Sequence, residues 1–150
     1  MEIRRDLSQH DPSSPRTALT IGAYDGVHTG HRQVISEVCR LAVERSLTSA
    51  VLTFDRHPAS VVRPGSAPLL LTDTDQKLEQ LATTGVDLTM VLRFDAERAT
   101  ESAESFIREV LVGGLGVALV VVGEDFHFGH QRMGNVALLR ELGVELDFEV

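Results

Sequence analysis

The sequence predicts an α/β domain, built on an open parallel sheet of about five strands with helices on both of its faces. Apolar runs alternate along the chain with amphipathic stretches, which is the order expected of successive β-α-β units. The run Val-Ala-Leu-Val-Val-Val at residues 117–122 is apolar at every position, as in a strand that helices cover on both sides. The amphipathic stretches each carry a single apolar stripe. These patterns favour a parallel sheet buried between helices.

The predicted elements follow one another from about residue 17 onward. Strands are expected at residues 18–22, 50–54, 88–94 and 117–123, with a further strand from Val144 onward. Helices are expected at residues 30–45, 74–83, 103–111 and 135–142. In the first helix, Val34, Val38 and Leu41 recur at the spacing of one buried face.

The first sixteen residues have no hydrophobic periodicity and contain Pro-Ser-Ser-Pro at positions 12–15. They are predicted to form a loose N-terminal arm (1–16), since proline and serine favour turns over regular structure. Residues 17–150 then form one domain, which is large enough to be stable without a disulfide. The single cysteine, Cys39, has no partner for an intrachain bridge and is expected to pack on the first helix.

Composition and charge exclude several classes of protein. The chain has 14 basic and 22 acidic side chains, a net charge of −8 and one lysine, Lys77, so a general nucleic-acid-binding surface is not expected. The longest apolar run, residues 115–122, is far too short to cross a bilayer, and the first residues do not resemble a secretion signal. A cytoplasmic protein with neither nucleic-acid nor membrane partners is expected. Any phosphate it binds must be met by Arg, His or backbone N–H groups.

Residues that can carry chemistry are concentrated in the turns that follow three predicted strands. In an open parallel sheet, ligands bind beyond the carboxyl ends of the strands, where loops and helix N-termini meet. The turns after the first, second and fourth strands contain five of the six histidines, namely His28, His31, His57, His127 and His130. One such histidine alone is more often a surface or hydrogen-bonded residue, whereas five at one edge indicate a site.

The turn after the first strand, Gly22-Ala-Tyr-Asp-Gly-Val-His-Thr-Gly-His31, is the most specific of the three. Its three glycines allow tight folding and close approach to a ligand. His28 and His31 fall where the first helix begins, and the N–H groups and dipole of a helix N-terminus bind anions. The glycine spacing matches neither a P-loop nor a dinucleotide-binding motif. A zinc site for hydrolysis is a weaker alternative, because the histidines are three residues apart rather than four on a formed helix.

The segment His28-Thr-Gly-His31 resembles the HxGH signature of the nucleotidyltransferase superfamily. Three segments together resemble the adenylyltransferase module of bacterial FAD synthetase, the bifunctional riboflavin kinase/FMN adenylyltransferase. They are residues 20–31, Leu-Thr-Phe-Asp-Arg-His-Pro at 52–58 and Val-Val-Gly-Glu-Asp-Phe-His-Phe-Gly at 121–129. Arg132 and Gly134 extend the third segment of the match. The resemblance implies a Rossmann-like domain that uses Mg2+ and joins ATP and FMN into FAD and pyrophosphate.

Carried over by position, the resemblance implies roles for individual residues. His28 and His31 are then the catalytic residues, acting electrostatically rather than covalently. The residues implied for ATP binding are Gly22, Ala23, Tyr24, Asp25, His28, Gly30 and His31. Those implied for flavin binding are His57, Pro58, Gly123, Asp125, Phe126, Phe128 and Arg132. The metal ligands stay open.

Several of these residues keep a structural alternative. Phe126 and Phe128 either stack on the flavin ring or cap the sheet. Asp55 and Asp125 either help to place a metal ion or make turns. Arg132 pairs either with a phosphate or with a neighbouring acid.

The resemblance also predicts that the domain is cut short at its C-terminal end. In the family, a Ser-Ser-Thr-x-x-Arg segment that contacts nucleotide follows the fifth strand, and a riboflavin kinase domain comes after it. The sequence reaches only Val150, so it is expected to be either an excerpt of a longer chain with a C-terminal kinase domain or a short relative. Two alternatives for the function remain, namely nucleotidyl transfer to another small phosphorylated acceptor and noncatalytic binding of flavin or nucleotide.

Overall fold

The computed structural model describes residues 1–27, 29–56, 58–62, 65 and 73–150. At its centre lies one sheet of five parallel strands. The strands are β1 (Glu2–Arg4), β2 (Thr17–Ile21), β3 (Thr48–Phe54), β4 (Leu88–Leu92) and β5 (Val117–Val120). Their order across the sheet is β1-β4-β3-β2-β5. The predicted open parallel sheet is confirmed.

Helices cover both faces of this sheet, as predicted. They are α1 (Thr29–Arg45), α2 (Pro58–Val62), α3 (Thr74–Ala82), α4 (Ala96–Ala99), α5 (Ala103–Phe106), its π-helical continuation Ile107–Gly114, and α6 (Val136–Leu146). On one face, Ile35 of α1 and Leu81 of α3 pack with Val51 of β3. On the other face, Leu139 of α6 packs in the same cluster as Leu52. Because successive strand residues point to opposite faces, β3 contributes to both layers of core.

Side chains that cap the helices explain why the predicted helix starts agree with the structure. Asp73 and Gln76 form a reciprocal capping box at the start of α3, with Gln76 N donating to Asp73 Oδ1 at 2.8 Å. Asn135 Oδ1 accepts from Leu138 N at 2.9 Å at the start of α6. The predicted starts at residues 30, 74, 103 and 135 each lie within one residue of the observed ones.

The prediction of a loose arm over residues 1–16 is wrong for its first part. Glu2–Arg4 is the edge strand β1, which pairs in parallel with β4 from Glu2 opposite Leu88 to Arg4 opposite Met90. A short 3-10 helix follows at Leu7–Gln9. A strand of three residues is too short to show a period, so only its pairing with β4 reveals it.

The predicted strand from Val144 onward is also wrong in its boundaries. Residues up to Leu146 belong to α6, where Val144 is 89 % exposed, and the helix ends at Asp147 in the left-handed conformation with φ 63°. Glu149 alone pairs with Leu119, beside β5. The fifth strand of the sheet is therefore β1, at the opposite edge. In the part of the chain described above, no helix has both the length and the apolar character needed to cross a membrane.

A short antiparallel hairpin follows β5. Its two strands are β6 (His127–Phe128) and β7 (Gly134–Asn135), joined by a 3-10 turn at His130–Arg132. The hairpin docks on the start of α5, because Gly129 and Gly134 both lie against Ala103. A Cβ atom on Gly129 would approach the Ala103 backbone nitrogen to 2.8 Å, so this contact needs glycine.

Candidate functional site

A cavity of about 320 Å³ opens at the carboxyl edge of the sheet, between the turn after β2 and the turn after β5. The chain runs outward from β2 through β3 to β4 and later returns to the other side of β2 as β5. The crevice between β2 and β5 is therefore a topological switch point, where open α/β sheets bind their ligands. The residues implied by the resemblance that line this cavity are Gly22, Ala23, Tyr24, Asp25, His31, Gly123 and Phe126.

The other residues that the resemblance implies do not line this cavity or lie outside the described residues. His28 and His57 lie outside the residues that the structure describes. Gly30 is exposed in the first turn of α1, and Pro58 is the first residue of α2. Asp125, Phe128 and Arg132 belong to the turn and hairpin after β5 without lining the cavity.

Tyr24 packs in the interior, between the first turn and β2. Its side chain is buried, and its hydroxyl lies 2.8 Å from Thr20 Oγ1. Its ring meets the His31 ring edge-on, with 4.9 Å between the ring centroids. A Cβ atom on Gly22 would lie 3.0 Å from the Tyr24 ring, so the ring can occupy this position only because residue 22 is glycine. The phenol therefore shapes the cavity wall and orients His31.

Burial raises the pKa of Tyr24 to about 12 from its ordinary value of 10.0. Since Tyr24 is the only tyrosine and the chain has no tryptophan, tyrosinate absorbance reports this residue alone. We expect the tyrosinate absorbance of the folded chain to rise at a higher pH than that of the same chain in denaturant. The folded pKa is the higher one, so the stabilisation is fully present below pH 10 and is lost as the pH rises towards about 12. Coincident titrations in the folded and denatured chain would contradict the buried position of the phenol.

The backbone of the first turn is left-handed at three neighbouring residues. Tyr24 has φ 51°, Gly26 has φ 80° and Val27 has φ 33°. Only glycine adopts this region without strain, so the surrounding packing must hold the other two residues in place. Val27 is buried with Tyr24 and Ile35 in one apolar cluster, which provides that packing. Packing thus holds Tyr24 and Val27 in this conformation, and Tyr24 forms part of the cavity wall.

Lys77 contacts the first turn from outside the cavity, and the sequence patterns did not predict this contact. It lies on α3, is only 8 % exposed, and its Nζ donates to Ala23 O at 2.9 Å and to Phe54 O at 2.8 Å. A third hydrogen bond goes to Thr53 Oγ1 at 3.1 Å. The available signal was its position four residues before Leu81, on the buried stripe of α3, where an unpaired lysine would not be stable.

The carboxylate of Asp55 stabilises the turn after β3 through a hydrogen bond to the backbone. Its Oδ1 accepts from Phe94 N at 2.9 Å, and its backbone N–H donates to Leu92 O at 3.0 Å. These contacts join the turn after β3 to the turn after β4, so the turn-making alternative for Asp55 is supported. Among the described residues, no group of three or more His, Cys, Asp or Glu side chains is placed to hold a metal ion.

The two phenylalanines after β5 have different surroundings. Phe126 lines the cavity and stacks on Phe128, with ring centroids 5.4 Å apart and 16° between the ring planes. Phe128 also contacts Phe106 of α5 at 5.7 Å. Both rings pack against the core, and of the two only Phe126 also lines the cavity.

The two histidines after β5 do not enter the cavity. The Nδ1 atom of His127 lies 2.7 Å from the carbonyl oxygen of Asp125 in its own turn. The Nδ1 atom of His130 lies 3.3 Å from the carbonyl oxygen of Ala99, and both side chains are exposed. Of the three described histidines in the predicted cluster, the structure brings only His31 to the cavity.

Comparison with known proteins agrees with this geometry. A family model described as FAD synthetase matches residues 10–150, which is nearly the whole chain. The chain belongs to the FAD synthetase family.

Several relatives of this FAD synthetase family chain are named bifunctional riboflavin kinase/FMN adenylyltransferase. The Escherichia coli protein is 39 % identical over 132 residues, which cover 88 % of this chain and 42 % of the relative. The Pseudomonas fluorescens protein is 36 % identical over 153 residues, covering 100 % of this chain and 48 % of the relative. The Haemophilus influenzae protein is 35 % identical over 150 residues, covering 100 % and 49 %. The chain thus spans less than half the length of these relatives.

A solved structure shares the fold of this FAD synthetase family chain. It is described as a macrolide-efflux protein from Streptococcus pneumoniae, with a TM-score of 0.78 and 22 % sequence identity. The match covers 99 % of this chain and 49 % of that one. At this level of identity the likeness shows the fold alone.

Proposed function

We propose that this chain transfers the adenylyl group of ATP to FMN, forming FAD and pyrophosphate. The observation that carries the proposal is the cavity at the switch point of the sheet. One wall of it is the first turn with the start of α1, and the other is the turn that carries Gly123 and Phe126. The names of the family and of its relatives describe this reaction.

The first turn and the start of α1 are suited to the phosphates of ATP. The α1 helix has 17 residues, and the N–H groups and dipole at its N-terminus favour anions. His31 lies in its first turn and faces the cavity together with Gly22 and Asp25. We assign these residues, with Ala23, Gly30 and the implied His28, to the phosphate side of the site.

The opposite wall is suited to a planar ring. Phe126 presents a half-buried aromatic face that is backed by the stacked ring of Phe128. Offset stacking on aromatic rings stabilises a flat heterocycle such as a flavin. We assign Phe126 and Gly123 to flavin contact, Phe128 to the support behind them, and Asp125, Arg132, Pro58 and the implied His57 to the rim.

The reaction needs no covalent intermediate. A phosphate monoester has its second pKa near ~6, so the FMN phosphate is already mostly deprotonated at neutral pH and can attack without a general base. Its oxygen forms a bond to the α-phosphorus of ATP while the bond to the departing pyrophosphate breaks. The protein must offset repulsion between the two anions and hold the attack in line, which helix dipoles and positioned side chains can do.

Mg2+ accompanies ATP in reactions of this class, and the donor set of the cavity fits it. Mg2+ prefers oxygen ligands and is usually held by one or two carboxylates together with substrate phosphates. Asp25 places a carboxylate in the cavity wall beside the phosphate side of the site. When bound, the ion supplies positive charge against the phosphate oxygens.

The test is to incubate the purified chain with ATP, FMN and Mg2+. FAD is measured by chromatography, and the released pyrophosphate is measured in the same reaction. We expect both products in equal amounts. If pyrophosphate is released with another phosphorylated acceptor and not with FMN, the acceptor is that compound and the proposal of FMN is wrong. Binding of flavin or nucleotide without any pyrophosphate release would contradict the transferase activity.

Replacement of Phe126 tests the flavin wall. Phe126→Leu keeps an apolar side chain but removes the ring, and we expect FMN affinity to fall about 2- to 10-fold, since an aromatic pair is worth roughly 0.5 to 1.5 kcal/mol. The measurement is titration of FMN fluorescence. Phe126→Tyr keeps the ring and is expected to bind FMN like the parent chain. Equal loss in both variants would show that ring stacking is not the source of the affinity.

A further inference from the structure

The amine of Lys77 is held in its charged form by three acceptors. The carbonyl oxygens of Ala23 and Phe54 can only accept hydrogen bonds. The Thr53 hydroxyl donates its one proton to Ala23 O at 3.0 Å, so it must accept from Lys77. Three acceptors require three N–H donors, which an ammonium has and a neutral amine lacks.

The surrounding charges are consistent with this assignment. Burial lowers the pKa of the Lys77 amine, and the carboxylates of Asp25 and Asp55 oppose that shift. An ammonium that is buried and fully hydrogen-bonded is costly to replace, because its removal takes the Lys77 donor from Phe54 O and leaves Ala23 O with the Thr53 hydroxyl alone. The three hydrogen bonds therefore form a tight junction.

This junction connects the first turn, which lines the phosphate side of the cavity, to the end of β3, which does not line it. Ala23 is part of the first turn and lines the cavity. Thr53 and Phe54 are the last two residues of β3. The α3 helix is fixed to the same strand end by Thr74, whose Oγ1 donates to Asp55 O at 3.2 Å. Lys77 itself does not line the cavity.

We propose that Lys77 is a positioning residue for adenylyl transfer: its ammonium holds the carbonyl of Ala23 against the end of β3 and so keeps the first turn and His31 in the geometry that the phosphates require. This inference rests on the proposed function of the site. It acts through backbone placement, since no atom of Lys77 reaches the cavity wall. A misplacement of about 1 Å at such a site can cost about 10²-fold in rate.

The first experiment compares Lys77→Met with the parent chain. Methionine is similar in length but donates no hydrogen bond. We expect kcat/KM for ATP to fall about 10²-fold, with the KM for FMN unchanged, because only the phosphate side of the cavity is displaced. Hydrogen exchange of the ligand-free protein is expected to speed up at the amides of residues 22–27, which include the Gly22 N–H that bonds to Leu52 O at 3.0 Å.

The matched control is Leu78→Ala, the neighbouring buried residue on α3, which is 7 % exposed. This variant opens a cavity and lowers the melting temperature without touching the three acceptors. We expect it to keep the parental kcat/KM for ATP and the parental exchange at residues 22–27. An equal kinetic loss in Leu78→Ala would show that Lys77 contributes only to general stability and would overturn the proposal.

A second pair of variants covers the case in which Lys77→Met does not fold. Thr53→Val removes the hydroxyl of the junction, and Thr53→Ser keeps it. We expect a smaller loss of kcat/KM for ATP in Thr53→Val and recovery in Thr53→Ser. Unchanged exchange and kinetics in Lys77→Met, or in Thr53→Val, would overturn the positioning role. A parent chain that makes no FAD would instead contradict the proposed function, and the exchange experiment would still test the junction itself.

Discussion

Replacing His31 by alanine is expected to lower kcat for FAD formation by about 10²- to 10³-fold, as for the loss of one preorganised donor at a transition state. His31 lies in the first turn of α1, and its ring is held edge-on against the buried Tyr24. The packing fixes the direction of the imidazole before the substrates bind. Steady-state kinetics with varied ATP and varied FMN provide the measurement.

The matched control for this substitution is His127→Ala. His127 is exposed, follows β5 and does not line the cavity, so its removal is expected to leave kcat close to that of the parent chain. His31→Gln, which keeps a polar donor, should recover part of the lost rate. If His31→Ala and His127→Ala behave alike, His31 has no electrostatic role in the reaction.

Replacing Gly129 by alanine is expected to lower the free energy of unfolding by about 2 to 4 kcal/mol, from backbone strain and overpacking together. Gly129 has φ 78° and ψ 179°, a conformation that is essentially restricted to glycine. Its new Cβ would also meet Ala103 at 2.8 Å. Because the hairpin carries Phe128, which supports Phe126, we expect FMN affinity to fall as well. Urea denaturation and FMN titration measure the two effects.

Gly30→Ala is the control for the stability measurement. A Cβ atom on Gly30 meets nothing within 4 Å, and alanine is favoured over glycine inside a helix by about 1 kcal/mol. This variant is expected to unfold no more easily than the parent chain. Parental unfolding of Gly129→Ala would mean that the hairpin does not dock on α5 as described.

The interior of the sheet was predictable because burial on both faces leaves continuous apolar runs. Every residue of β2 and β4 is buried, and their sequences are apolar except for Thr17, Thr20 and Thr89. The edge strand β1 was not predictable, since Ile3 is exposed and the strand has only three residues. The end of α6 was not predictable because Val144 and Leu146 alternate as in a strand, whereas in the helix Leu146 packs against the cluster that contains Phe148 and Val144 is exposed.

The location of the candidate site was predictable from topology alone. Parallel strands place the turns after β2 and β5 at the same edge of the sheet, and the observed strand order brings them together. The direction of single side chains was not predictable. The buried position of the Tyr24 side chain depends on the hydroxyl of Thr20, and the position of His130 depends on the carbonyl oxygen of Ala99 in α4. No local sequence pattern predicts either contact.

The role of Lys77 illustrates why composition misleads at single positions. Counted as one of 14 basic residues, it indicates only that the surface is poor in ammonium groups. Its true environment depends on three oxygen atoms from two distant segments of the chain, residues 23 and 53–54. The spacing of Lys77 and Leu81 indicates that the lysine is buried, but the three oxygen atoms that it contacts are brought together only by folding.

The burial of this one lysine has a practical consequence. An endopeptidase that cuts only after lysine has a single target bond in the chain, between Lys77 and Leu78 inside α3. The bond becomes accessible only when α3 detaches from the end of β3, and cleavage then divides the polypeptide into two fragments of similar size. The molecule thus carries a built-in reporter of how often that helix opens.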